Sequence, residues 1–195
     1  MSTARIPAAE ITGPYGYLVK RFSKKMLGQV PDSLGVMWHN RAVLNSTMGF
    51  GRKAEKWHEL DPNLKAFAHM ATVSFVGCSF CLDLGYFQAH HKGLNEAKAS
   101  EVPRWREATV FTPLERDVME YAEAMSETPP RVTDALAARL LEQLGAPALL
   151  ELTAWVGFAN MVSRSNLALG IEAQGFSSVC SVPLAQPPAR YAAPA

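Results

Sequence analysis

The run APALLELTAWVGFANMV, Ala146 to Val162, limits the fold more than any other part of this 195-residue chain. Wound as a helix, it turns apolar side chains in almost every direction, so no continuous face is left for water. Such a helix belongs in a core, in a subunit interface or across a membrane. Glu151 near its centre, Asn160 and the nearby Arg164 speak against a span, for which the run is also slightly short. The expectation is a buried helix from Pro147 to about Ala173, covered by other helices or by another copy of the chain.

The rest of the sequence supplies helices of the right kind. Asp61 followed by Pro62 is a start signal, and the helix it opens, PNLKAFAHMATVSFV, stops at Gly77. A second helix runs from about Cys78 to His91 and ends at Gly93. TPLE, Thr112 to Glu115, reads as a capping box, and Leu114, Val118, Tyr121 and Met125 fall on one stripe of the helix it opens. Thr133 caps the next helix and Gly145 closes it. After Ser33 the spacing predicts a helix to about Met48, a break at Gly49 and Gly51, and a shorter helix beyond. Pro7, Gly13, Pro14, Gly16 and Pro31 make residues 1–33 an N-terminal arm, residues 34–180 one helical domain and residues 181–195 a tail. Neither strand alternation nor a long repeat is visible, so the fold class is all-α, single domain.

Composition narrows the function classes. With 48% hydrophobic and 19% charged residues the chain has the means for a packed core, and a net charge of +1 gives no reason to expect nucleic acid or an anionic membrane as partner. MSTARIPAAEITGPYG has no apolar segment of the secretory kind, and three cysteines do not make a disulfide framework. A cytoplasmic protein is expected.

Two of those cysteines carry the chemistry. Cys78 and Cys81 stand three residues apart, directly after Gly77. A zinc site needs two more ligands, and His90 lies roughly 13 Å up the same helix from Cys81. A c-type haem attachment needs histidine directly after the second cysteine, where Leu82 stands. Two buried, inert thiols are the plain alternative. The redox reading has a mechanism: one helical face brings both sulfurs together, and the first turn of a helix stabilises a thiolate through its free N–H groups and dipole. By that argument Cys78 is the activated thiol.

GCSFCLDLGYFQAHHKGL, preceded by DPNLK and followed by WREATVFTPLERDVMEYAEAM and NMVSRSNLALGIEAQGFSSVC, resembles the carboxymuconolactone decarboxylase family, and within it the alkylhydroperoxidase D-like (AhpD-like) members. The resemblance spans about Leu34 to Cys180. It implies an AhpD-like helical fold, a homo-oligomer, no metal or organic cofactor, and a dithiol that reduces hydroperoxides and is recharged by a dithiol reductant protein. It also implies that the second cysteine attacks, assisted by a histidine four residues after it and a glutamate twelve residues before the first. Here those positions hold Gly85 and Ala66, neither of which moves a proton.

His69, on the face of Ala66 and one turn nearer Cys78, is the candidate replacement, with a hydrogen-bonded core histidine as its plainer role. The candidate site is therefore Cys78, Cys81 and His69. His39, His58, His90 and His91 have weaker cases, and Cys180 reads as a free thiol. Asp83, roughly opposite Cys81 around the helix, is expected in a cap or at the surface. Asn160, Arg164 and Asn166 are expected in a polar network or lining a pocket. The function expected is a peroxidase-like thiol–disulfide oxidoreductase acting on a small hydroperoxide or disulfide. A decarboxylase-like lyase or small-carboxylate binder, and a non-catalytic oligomeric module, stand as alternatives.

Overall fold

Helices α1 (Gly13–Leu27), α2 (Asp32–Met37), α3 (Arg41–Ala54), α4 (Pro62–Val76), α5 (Ser79–His91), α6 (Glu96–Ala99), α7 (Pro113–Ser126) and α8 (Asp134–Ala168) follow one another along the chain. The computed structural model describes residues 4–188; two short 3₁₀ turns complete it, and no strand occurs among the described residues. The first three residues of the expected arm and the last seven of the expected tail lie outside them.

α4 is central, packing against α5, α7 and α8. Asp61 starts it by accepting the N–H of Asn63 (2.8 Å) and of Leu64 (3.2 Å), with Pro62 at the first position. Leu64, Phe67, Ala68, Met70, Ala71 and Val73 are all buried, whereas Pro62 and Asn63 are exposed and Ala66 and His69 half-buried. The capping box of α7 forms in full: Thr112 Oγ1 accepts from Glu115 N–H, and Glu115 accepts from Thr112 N–H.

The charge within the apolar run has a partner. Glu151 is buried against Lys65 at 2.8 Å and also accepts the N–H of Glu59. Lys65 spends its other protons on the carbonyls of Ala54 and Trp57. Breaking such a buried pair on one side costs about 3–5 kcal/mol, so the pair fixes how α8 sits on α4.

Two expectations are corrected. α3 runs through Gly49 and Gly51, and the break falls earlier, at residues 38–40, where Asn40 caps α3 by accepting Val43 N–H. Gly51 instead makes room for Phe158 of α8: a Cβ there would lie 3.2 Å from the ring. Gly145 (φ 76°, ψ 165°) leaves the helical path and closes one helix before the next as expected, but α8 ends at Ala168, short of Ala173, because the Asn166 carbonyl takes the N–H groups of Leu169 and Ile171. Within the apolar run Leu152, Trp155 and Val156 are buried in the chain, while Leu150 is 71% and Met161 49% exposed on it. The arm, for its part, carries α1, whose Tyr17, Leu18, Phe22 and Met26 are exposed.

Candidate functional site

The junction between α4 and α5 builds the dithiol. Gly77, at φ 84°, ends α4 in a left-handed turn, and the N–H groups of Gly77 and Cys78 both return to the carbonyl of Val73. The chain then enters α5 with no spacer. Cys78 is the N-cap residue of α5, in the role usually given to serine or aspartate, and its Sγ accepts the N–H of Cys81 at 3.3 Å. The two cysteines are joined in a disulfide with their Cα atoms 5.3 Å apart, inside the usual bridging range. Both are buried, Cys78 at 1% and Cys81 at 5% exposure.

Cys81 has a partner of its own. The Asn166 side chain, near the end of α8, donates from Nδ2 to Cys81 Sγ at 3.3 Å. The sequence places Asn166 in a polar trio with Asn160 and Arg164, and the structure divides that trio. Asn160 and Arg164 bond to Ser126 and tie α8 to the end of α7, whereas Asn166 turns to the sulfur.

His69 stands against Gly85, one helical turn beyond Cys81. A Cβ on residue 85 would lie 3.1 Å from His69 Nδ1 and 3.2 Å from Cε1. The imidazole therefore fills the space from which a residue-85 side chain would start. Its ring also faces Trp155, with centroids 6.0 Å apart. Burial pushes its pKa down to about 4, against a smaller opposing effect of Glu55 and with some help from Lys92. It is thus a neutral imidazole at neutral pH. Among the described residues no hydrogen bond joins it to either sulfur.

Asp83 is not at the surface. It is 5% exposed and accepts the N–H groups of Gln174 (3.0 Å), Phe176 (3.0 Å) and Ser177 (2.8 Å) and the Ser177 hydroxyl (2.6 Å). Burial alone would raise its pKa, but the Ser177 hydroxyl and these N–H groups outweigh it and hold the carboxyl below its ordinary value. The segment it grips lies along α5: Ala173 N–H bonds Ser79 Oγ, Phe176 packs on Phe80 and Phe87, and Tyr86 donates to the carbonyl of Val182. Cys180 is a free thiol on this segment. Burial, Glu96 and Asp83 all raise its pKa, which leaves it protonated and a poor nucleophile.

Of the other histidines, His39 meets the carbonyl of Pro7, His90 the Glu96 carboxylate and His91 the carbonyl of Phe87, while His58 is exposed. Among the described residues no three His, Cys, Asp or Glu side chains gather as a metal site, and no helix is long and apolar enough to cross a membrane.

An all-helical body with a dithiol at a helix start, just past a glycine that ends its neighbour, defines a class, and comparison with known proteins gives its family. The carboxymuconolactone decarboxylase family profile matches residues 42–124. The uncharacterized protein YnjA of Escherichia coli strain K12 is 36% identical over 137 residues, 70% of this chain and 74% of that protein. The chain belongs to the carboxymuconolactone decarboxylase family. Among solved structures, the alkylhydroperoxidase AhpD core of a peroxidase-related protein from Ralstonia eutropha JMP134 superposes with a TM-score of 0.80 at 16% identity, over 94% of this chain and 99% of that one. A cysteine variant of the debrominase Bmp8, in complex with 2,3,4-tribromopyrrole, gives 0.79 at 18% identity, over 91% and 96% of the two chains. At such identities the likeness establishes the AhpD-like helical fold and leaves the reaction to the site.

Proposed function

We propose that the protein is a thiol–disulfide oxidoreductase whose Cys78–Cys81 pair passes two electrons to a small disulfide or, more slowly, to a hydroperoxide. The observation that carries this reading is the placement of both sulfurs at the start of α5, bonded to each other and each with its own N–H donor. In the reduced pair, one thiolate attacks a substrate sulfur, forms a mixed disulfide and expels a thiolate. The second cysteine, losing its proton to solvent, attacks the first sulfur, expels the remaining substrate thiolate and closes the Cys78–Cys81 bond. With a hydroperoxide the first step leaves a sulfenic acid and an alcohol, and the second releases water.

The proton steps decide between the substrates. A disulfide leaves as thiolates and needs little acid catalysis, whereas an alkoxide needs a proton. Ala66 and Gly85 supply none, and His69 is neutral and weakly basic. Positioned acid–base groups typically contribute ~10²–10⁴-fold, so peroxide turnover without them is slow. His69, seated over Gly85 where the relatives' relay base would be rooted, is the remaining candidate to take up a proton near Cys81.

We read the working form as a cytoplasmic homo-oligomer recharged by a dithiol protein. A close thiol pair suits a reducing compartment, and exposed Leu18, Phe22, Leu150 and Met161 are apolar surface that a second copy would cover.

The test is a single turnover with the reduced protein, freed of reductant, mixed with oxidised glutathione or cumene hydroperoxide. Two thiols per chain should disappear with one equivalent of oxidant, both in the peptide containing Cys78 and Cys81. Cys78→Ser and Cys81→Ser should each fail to close the bond. Oxidant consumed while the Cys78 and Cys81 thiols of the wild-type protein both remain would refute the reading.

A further inference from the structure

We infer that the side-chain amide of Asn166 is the group that stabilises a thiolate on Cys81, a role that deepens the dithiol reading and rests on it. The two sulfurs are served differently. Cys78 sits at the N-cap of α5 and accepts a backbone N–H, that of Cys81, so its donor belongs to the helix itself. Cys81 receives a side-chain donor from another helix, Asn166 Nδ2 at 3.3 Å.

Asn166 is held for this task. It is 6% exposed, and its own carbonyl ends α8 by accepting the N–H groups of Leu169 (3.2 Å) and Ile171 (3.0 Å). The backbone at residue 166 is thereby fixed while the amide points at the sulfur. A sulfur within a disulfide is a weak acceptor and returns little for a buried amide. A thiolate is a strong one. The contact therefore gains most when the bond is open and Cys81 carries charge, and a hydrogen bond made to the charged form lowers the pKa of the group that receives it.

The same contact acts in both directions of the cycle. When a reductant thiolate attacks Cys78, the Cys78–Cys81 bond breaks and its electron pair leaves on Cys81 Sγ, where the Asn166 amide receives it. Asn166 thus favours the direction of recharging in which Cys78 holds the mixed disulfide and Cys81 departs. In the reduced protein it holds Cys81 ready as a thiolate. The amide touches a reacting atom throughout, so within this reading it is a catalytic residue.

The experiment measures the alkylation rate of each cysteine against pH, resolved by mass spectrometry, in the reduced protein carrying Cys78→Ser or Cys81→Ser. With Cys78→Ser, adding Asn166→Ala should raise the pKa of Cys81 by about one unit, a tenfold loss of thiolate below the pKa. Asn166→Asp, which puts an acceptor in place of the donor, should raise it further. With Cys81→Ser, Asn166→Ala should leave the pKa of Cys78 unchanged. An unmoved Cys81, or equal shifts in both cysteines, overturns the proposal. In the wild-type protein, which needs no substitution at 166, the side-chain amide resonances of Asn166 should follow the titration of Cys81; resonances that stay fixed through it overturn the proposal whether or not the variants fold. Thiolate pKa is read without any turnover, so a pair that never cycles would refute the oxidoreductase reading while leaving this one to stand or fall on its own.

Discussion

Reinstating a histidine at residue 85 is the obvious way to give Cys81 a base one turn away, and the structure predicts that this change alone fails. A Cβ at 85 would meet His69 Nδ1 at 3.1 Å, Cε1 at 3.2 Å and Met70 Cγ at 3.6 Å before the rest of an imidazole is added. Replacing glycine in a helix returns only a few tenths of a kcal/mol of propensity for histidine. Overpacking a filled core costs about 1–3 kcal/mol. Gly85→His should therefore destabilise the protein by roughly 1–2.5 kcal/mol. His69→Ala vacates that volume, so adding it to Gly85→His should recover most of the loss. The four proteins of the cycle are unfolded in urea at pH 7, where His69 is neutral, and followed by far-ultraviolet circular dichroism. A favourable coupling of at least about 1 kcal/mol is predicted, against an additivity error of about 0.3–0.5 kcal/mol for independent sites. Additive effects, or a Gly85→His protein as stable as wild type, would show that the two side chains do not compete for one space.

Two further outcomes follow from His69 and Asp83. The pKa of His69 is lowered from 6.5 to about 4, so the unfolded chain takes up a proton that the folded one refuses; stability should fall as pH drops from about 6.5 through about 4, by at most ~3 kcal/mol from this residue, and His69→Asn should flatten that limb of the urea midpoint against pH. Asp83 has a depressed pKa, so its contribution is present above the ordinary carboxylate pKa and lost as pH falls through its folded value, below about pH 4; Asp83→Asn should speed amide exchange at Gln174, Phe176 and Ser177 at pH 7, and unchanged protection there would contradict its role as the clasp.

The helix starts were legible because they are local. Asp61–Pro62 and Thr112–Glu115 each satisfy their own free N–H groups within a few residues, and no distant contact was needed to place them. The glycines of α3 misled because they lower helix stability without ending a helix, whereas Asn40 supplies a positive cap. Asp83 reads as a cap or surface residue because the segment that covers it returns from more than ninety residues later, and nothing near Asp83 announces it. Asn166 is 85 residues from Cys81, so its contact with the sulfur exists only once α8 has crossed the start of α5. Spacing alone puts His69 on the Ala66 face of α4. Its fit over Gly85 needed the packing of two helices.

The central claim is that Cys78 and Cys81 form one reversible two-electron couple, and a redox equilibrium tests it most directly. The protein is equilibrated in dithiothreitol buffers of graded potential, alkylated, and the peptide spanning both cysteines is weighed. The account predicts a single transition between a doubly alkylated peptide and an unalkylated one lighter by about 2 Da than the dithiol, with Cys180 alkylated throughout. Independent oxidation of the two cysteines, or a stable bond from either one to Cys180, would contradict it.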